Sequence, residues 1–104
     1  MKVGTGIGGW PSRAPSQARA AEETGFDYVT CGELSHDSML TMTLAATSTD
    51  RVGLQTSVTI AFPRSPMVLA MEAWDIQELS GGRFTLGLGS QVKGHNERRF
   101  GGTW

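Results

Sequence analysis

The chain has 104 residues, in which 9 Lys and Arg side chains nearly balance 10 Asp and Glu. This balance argues against a nucleic-acid or anionic-membrane partner, because both need a basic patch. No run reaches the roughly 18 apolar residues of a membrane span, and the first residues lack the apolar segment of a signal peptide. The one cysteine, Cys31, excludes an internal disulfide, and it predicts a reducing, cytoplasmic setting.

Strand and helix patterns alternate along the chain at roughly the length of a βαβ unit. Apolar and β-branched runs predict four strands, at 1–7, 26–31, 52–60 and 83–89. Helical periodicity predicts three helices between them, at 15–24, 39–47 and 66–79, and a further helical turn at 96–100. Within these helices, Trp74 and the methionines are predicted to face the core.

Helix boundaries follow from residues that satisfy the unpaired backbone groups at helix ends. Gly25 follows the first helix, where a left-handed residue is favoured. Polar side chains precede each helix and can accept hydrogen bonds from its first N–H groups. The predicted N-caps are Ser16, then Asp37 or Ser38, then Ser65.

Strands separated by helices pair in parallel through right-handed crossovers. Two architectures fit that pattern. A (β/α)8 barrel needs roughly 250 residues, so the chain would supply only part of one. A four-stranded doubly wound sheet could be complete at this length, and the pattern alone does not choose between them.

Four segments stand in order along the chain, at 21–27, 51–58, 63–70 and 77–89, the last containing Ser-Gly-Gly-Arg-Phe-Thr-Leu-Gly-Leu-Gly. Together they resemble the N-terminal portion of the bacterial luciferase-like superfamily. A fifth segment, 91–100, reads Gln-Val-Lys-Gly-His-Asn-Glu-Arg-Arg-Phe. It is most similar to members that use coenzyme F-420, a deazaflavin hydride carrier.

This resemblance implies an α/β fold in which residues 1–104 form the N-terminal part of a TIM (β/α)8 barrel. That part comprises the first four parallel strands and the intervening helices. It implies a fragment of an oxidoreductase that transfers hydride between coenzyme F-420 and a small organic substrate. The alternative within the superfamily is a luciferase-like monooxygenase that uses reduced flavin mononucleotide (FMN).

A second alternative is a non-catalytic half-barrel. In this interpretation the chain lacks a complete site and assembles as a homo-oligomer or with a missing C-terminal half of the barrel. Open sheet edges favour such pairing. We expect the 104-residue chain alone to show no turnover, because the superfamily's main cofactor phosphate site lies in the C-terminal half.

Barrel active sites form at the carboxyl ends of the strands. Glu33 and His36 follow the second strand and are the candidate catalytic residues for substrate or proton handling. Leu34 occupies the position where luciferases carry a catalytic histidine, so His36 either substitutes for it or is a solvated loop residue. Glu33 either orients a ring or substrate, or is a surface or capping carboxylate.

Residues at the ends of the other strands are candidates for holding the cofactor ring. Glycine lets the backbone approach a flat ring closely, and the resemblance implies a non-proline cis peptide between Ser57 and Val58 behind that ring. Arg64 is either a free cation of the site or a partner of Glu72 or Glu78. No metal site is predicted. The cofactor-binding candidates are Gly6, Thr56, Ser57, Val58, Gly89, Ser90 and Gln91.

Overall fold

The computed structural model describes residues 1–8, 10–33 and 35–90. The main sheet has four parallel strands in the order β1 (Gly4–Gly6), β2 (Tyr28–Cys31), β3 (Gly53–Thr56) and β5 (Phe84–Thr85). A second parallel pair joins β4 (Thr59–Ile60) to β6 (Leu88–Gly89). The helices are α1 (Ala14–Thr24), α2 (Ser38–Ser48) and α3 (Pro66–Leu79), and a 3-10 turn, Pro11–Arg13, precedes α1. The predicted parallel βα arrangement is confirmed.

The main sheet buries one face under the helices. Val29 and Leu54 are buried in one apolar cluster with helix residues such as Met42 and Ile76. Alternate strand residues point to the opposite face, where Tyr28 and Gln55 are only partly buried, among others. The sheet is therefore an arc whose inner face is covered by none of the helices in residues 1–8, 10–33 and 35–90, as in the first strands of a barrel.

Two of the predicted strands are interrupted, and the two breaks lie side by side in the fold. The predicted strand 52–60 divides into β3 and β4, and the predicted strand 83–89 divides into β5 and β6. The Thr56 hydroxyl bridges the gap: it accepts from the Gly87 N–H at 2.9 Å and lies 3.0 Å from the Gly87 carbonyl. Pairing then resumes, because the Thr59 N–H donates to the same carbonyl at 2.7 Å.

Most of the predicted helix ends are confirmed. Asp37 caps α2 by accepting from the N–H groups of the next turn, and Ser65 caps α3 by accepting from the Val68 N–H. Gly25 ends α1 with φ at 102°. The Ser16 prediction is wrong, because the 3-10 turn runs directly into α1 and Ser16 lies inside the first helical turn, where its hydroxyl donates to the Arg13 carbonyl.

The prediction that Trp74 lies in the core is wrong. Trp74 is 76% exposed, whereas α3 buries Leu69 and Ile76. The methionines divide in the same way: those of α2 are buried, but Met67 and Met71 of α3 are exposed.

A buried carboxylate links α1 to the residues before β3 at the amino-terminal end of the sheet. Glu22, on α1, accepts hydrogen bonds from the backbone N–H groups of Asp50, Arg51 and Val52, just before β3. Burial raises the pKa of Glu22, but these N–H groups and the Arg51 charge together hold it below its ordinary value. Within the described ranges, no helix has the length and apolar character needed to cross a bilayer.

Candidate functional site

A cavity of about 610 Å³ opens at the carboxyl ends of β1 and β2. It lies between the loops that follow these strands and the first turns of α2. Among the residues that the structure describes, this lining contains no aspartate, glutamate, lysine or arginine. The lining residues are Ile7, Gly8, Trp10, Cys31, Gly32, Ser35, His36 and Thr41.

His36 lies at the rim of this cavity, where its ring contacts the Trp10 ring. The two ring centroids are 4.7 Å apart and the planes are inclined at 45°. His36 also borders a second, charged cavity of about 320 Å³, whose lining includes Glu33, Asp37 and Arg64. His36 thus separates an uncharged, aromatic-walled space from a charged one.

Glu33 is buried in an ion pair with Arg64 that joins the loop after β2 to the loop after β4. One guanidinium nitrogen donates to Glu33 Oε1 at 2.6 Å, and the other contacts Oε2. The Ile60 N–H donates to Oε1 at 2.7 Å and the Ser38 N–H to Oε2 at 2.8 Å. Arg64 also approaches Asp37, at 3.5 Å. The alternative that Arg64 pairs with Glu72 or Glu78 is therefore wrong.

The electrostatics of this network keep Glu33 ionised. Burial raises the pKa of Glu33, but the Arg64 hydrogen bond and the N–H groups of Ile60 and Ser38 together bring it below its ordinary value. The Glu33 hydrogen bond in turn raises the pKa of Arg64. Burial, assisted by the Asp37 charge, raises the pKa of the nearby Glu72. A carboxylate held by four donors is suited to fix the loop that carries His36, and it is poorly suited to exchange protons.

The residues after β3 lie beside the same cavity. The Ser57–Val58 peptide bond is cis, as the resemblance implies. Ser57 is exposed, and its N–H donates to the Cys31 carbonyl at 2.7 Å. A Cβ on Gly32 would come within 3.0 Å of the Ser57 carbonyl oxygen, and one on Gly89 within 2.4 Å of a Val58 methyl. Gly32 and Gly89 therefore allow neighbouring loops to close against this peptide.

The other cofactor-binding candidates differ in what they offer a ligand. A Cβ on Gly6 or Gly8 would meet no atom of the described residues within 4 Å, so the described part of the chain leaves open space beside this backbone. Thr56 is fully buried and its hydroxyl is engaged with Gly87. Ser90 is partly buried next to β6. Gln91 and the helical turn predicted at 96–100 lie outside the described residues.

Trp10 and Arg64 belong to the site but were not assigned as catalytic or cofactor-binding candidates. Trp10 follows the glycine-rich turn after β1, so its position at a strand end was a usable signal. Arg64 was noticed as a cation, but its partner Glu33 is 31 residues away. No sequence spacing identifies such a pair.

The reactivity of Cys31 tests whether its side chain is shielded from solvent. Burial, with smaller contributions from the Glu33 and Asp37 charges, raises the pKa of its thiol to about 12. Because the thiolate is the reactive form, we expect Cys31 to resist iodoacetamide at pH 8 in the folded chain and to react fully in urea. Mass spectrometry of the alkylated chain measures this. Rapid alkylation without denaturant would contradict the buried position.

Comparison with known proteins places this geometry in a family. The family model described as luciferase-like monooxygenase matches residues 3–104. The chain belongs to the luciferase-like monooxygenase family. An uncharacterised protein of Mycobacterium tuberculosis is 42% identical over 104 residues, which are 100% of this chain and 31% of that relative. The chain thus spans about a third of the length of this relative.

Solved structures support the same assignment. A monooxygenase of Streptomyces bottropensis superposes with a TM-score of 0.85 at 24% identity, over 99% of this chain and 37% of that one; it supports the fold alone. The coenzyme F-420-dependent tetrahydromethanopterin reductase of Methanopyrus kandleri superposes with a TM-score of 0.81 at 25% identity, over 93% of this chain and 29% of that one. The arc is therefore a portion of the luciferase-like TIM barrel.

Proposed function

We propose that the chain is the N-terminal part of an oxidoreductase that transfers hydride between coenzyme F-420 and a small organic substrate. The observation that carries this proposal is the 610 Å³ cavity at the strand ends, which has an aromatic wall and open glycine backbone, and whose lining is uncharged as far as the structure describes it. A flat, largely uncharged ring system suits such a space. The similarity to an F-420-dependent reductase favours the deazaflavin.

Apart from His36, the side chains in and beside the cavity are suited to bind and orient rather than to react. The Cys31 thiol has its pKa raised to about 12 and is therefore protonated at neutral pH. The Glu33 carboxylate is held in an ion pair with Arg64. When bound, a deazaflavin supplies hydride chemistry at its C5 carbon, and the protein's contribution is shape, orientation and electrostatics.

Each candidate residue then has a stated role. Gly6 provides open backbone beside one face of the ring, and the Ser57–Val58 peptide provides support from β3. His36 handles a proton of the substrate at the rim of the cavity. Glu33 acts through Arg64 to hold the His36 loop. The remaining ring contacts are assigned to Thr56 backbone, Gly89, Ser90 and Gln91.

Fluorescence titration with coenzyme F-420, and with FMN in parallel, tests the proposal. We expect saturable binding of F-420 that Gly6→Val weakens at least about tenfold, because the added side chain occupies the open space without meeting neighbouring atoms. The matched control is Ala20→Val on the exposed surface of α1, which should leave the affinity unchanged. Equal affinities of the Gly6→Val variant and the unaltered chain would contradict the placement of Gly6 beside the ring.

Two other outcomes identify the alternatives. Preferential binding of FMN, with oxygen uptake by the reduced complex, favours a flavin monooxygenase, since a deazaflavin does not activate oxygen as a flavin does. Binding of neither cofactor by a folded chain, with Cys31 still protected from alkylation, favours the non-catalytic half-barrel.

A further inference from the structure

Trp10 is presented to solvent at the rim of the larger cavity, although its side chain is large and mostly apolar. It is 58% exposed. Its backbone is fixed on both sides, because the Gly8 N–H donates to the Gln17 side chain of α1 at 3.1 Å and the Arg13 N–H donates to the Trp10 carbonyl at 2.9 Å. An aromatic ring on a fixed backbone offers a ligand much contact area at a low cost in conformational entropy. Trp10 is therefore a candidate for contact with a ligand.

Trp10 lies beyond the residues that are proposed to hold the cofactor ring. Gly6 ends β1, and the Ser57–Val58 peptide follows β3 directly. Trp10 comes four residues after Gly6, and its ring contacts the His36 ring, with 4.7 Å between the centroids. The Trp10–His36 pair thus borders the mouth of the cavity, where a substrate would meet a ring that is already bound at the strand ends.

The charge on the other side of His36 is negative. Among the described residues that line the second cavity, the carboxylates of Glu33 and Asp37 accompany a single guanidinium, that of Arg64. Glu33 and Arg64 neutralise each other in their ion pair. Asp37 directly follows His36, its side chain is 39% exposed, and it lies 3.5 Å from the same guanidinium. One carboxylate charge beside His36 therefore has no cation of its own, and it repels an anion that approaches the mouth of the cavity.

We infer that Trp10 is a specificity-determining residue and that the site takes uncharged substrates with a flat, apolar body. This inference rests on the proposed function, since it assigns the mouth of the cavity to the substrate of a bound hydride carrier. The flat body packs against the Trp10 indole, and the reacting group lies beside His36. The described lining of the larger cavity offers no counter-ion to a carboxylate or a phosphate, and Asp37 repels both. Shape and charge thus select the same class of compound.

Two small probes of nearly equal shape and different charge test the inference. Acetophenone is a flat, uncharged ketone, and benzoate is a carboxylate of similar size. We expect acetophenone to shift the imidazole NMR signal of His36 in a saturable way in the chain loaded with coenzyme F-420, at pH 8 and low salt. Benzoate should bind at least about fivefold more weakly, the effect of one like charge at a partly exposed site. The chain has two histidines, so His36→Gln assigns the signal.

Substitutions separate the contribution of shape from that of charge. Trp10→Leu removes the aromatic surface and should weaken acetophenone binding at least about fivefold. Trp74→Leu makes the same change at an exposed tryptophan of α3; it is the matched control and should leave the affinity unchanged. Asp37→Asn keeps a side chain that can cap α2 but removes the charge, so the affinities for the two probes should become more nearly equal. Protection of Cys31 from alkylation verifies that each variant is folded.

The outcomes distinguish this inference from the proposed function. Equal affinities for the two probes in the F-420-loaded chain, or an acetophenone affinity that Trp10→Leu leaves unchanged, overturn the inference alone. Release of F-420 by acetophenone, measured in the filtrate after ultrafiltration, also overturns it, because Trp10 would then contact the cofactor and not the substrate. Failure of F-420 to bind is seen before either probe is added; it contradicts the proposed function and removes the basis of the inference.

Discussion

Replacing Arg83 by methionine is expected to lower the free energy of unfolding by on the order of 3–5 kcal/mol, roughly the value of two charge-assisted hydrogen bonds. The guanidinium donates to the carbonyls of Ser80, Val52, Thr49 and Ala46 and to the Thr49 hydroxyl, at 2.6 to 3.2 Å. It joins the ends of α2 and α3 to the start of β3. Methionine fills similar space but leaves these acceptors unpaired.

Urea unfolding at one protein concentration measures this loss, since assembly would otherwise add to the apparent stability. Arg83→Lys keeps the charge on a single nitrogen that cannot reach all five acceptors, so an intermediate loss is expected. Arg19→Met, on the exposed surface of α1, is the control and should change stability by less than about 0.5 kcal/mol. A loss below about 1 kcal/mol for Arg83→Met would mean that water replaces the guanidinium.

Arg83 also shows what a recognisable motif does and does not reveal. It belongs to the Ser-Gly-Gly-Arg-Phe run, which is part of one of the segments that carry the resemblance. The structure places it before β5, at the amino-terminal end of the sheet, opposite the candidate site. In barrels that end serves stability, whereas the carboxyl ends of the strands carry chemistry. The arginine of this family motif therefore has a structural role: it holds α2, α3 and the start of β3 together, away from the candidate site.

Local patterns were sufficient for the elements and for most of their ends. Capping by Asp37 and Ser65 depends on bonds to the next turn, and the end of α1 depends on Gly25 itself. Breaks within the predicted strands 52–60 and 83–89 could not be predicted in this way. They depend on the Thr56 hydroxyl meeting Gly87, and those two residues come together only once the sheet has formed.

Periodicity was informative about which residues share a helix face, but not about what covers that face. Met67, Met71 and Trp74 were correctly placed on one side of α3. They were assigned to the core because apolar residues usually lie inside, and they are instead exposed. An apolar face outside the core is itself informative, since large exposed patches mark interaction sites.

The sequence predicted where the candidate site lies, but it did not predict the ion pair and hydrogen bonds within the site. The positions of Glu33, His36 and the glycines at strand ends predicted that they lie near one another, because parallel strands bring their carboxyl ends to one edge of the sheet. The ion pair of Glu33 with Arg64 was missed, because Arg64 was expected either to be a free cation or to pair with Glu72 or Glu78. The alternative that Glu33 is a capping carboxylate came closer, since it accepts from the Ser38 N–H at the start of α2.

Removing Arg64 is expected to have the second large effect on stability. Arg64→Met leaves the Glu33 carboxylate, 4% exposed, without its counter-ion, and breaking such a pair costs about 3–5 kcal/mol. The double variant Glu33→Leu/Arg64→Met removes both charges and should lose less than the sum of the single variants. Additive losses in urea unfolding would show that the two side chains do not act as a unit.

The pH dependence gives an independent measurement of the same pair. The pKa of Glu33 is lowered in the folded chain from its ordinary value of 4.5. The stability it contributes is therefore complete above pH 4.5 and is lost as pH falls through the lower folded value. Glu22, whose pKa is also lowered, contributes a decline of the same sign. In Glu33→Gln and in Arg64→Met, the decline should become shallower but should not vanish, because Glu22 is unchanged. A decline as steep as in the unaltered chain would mean that Glu33 is not held ionised by Arg64.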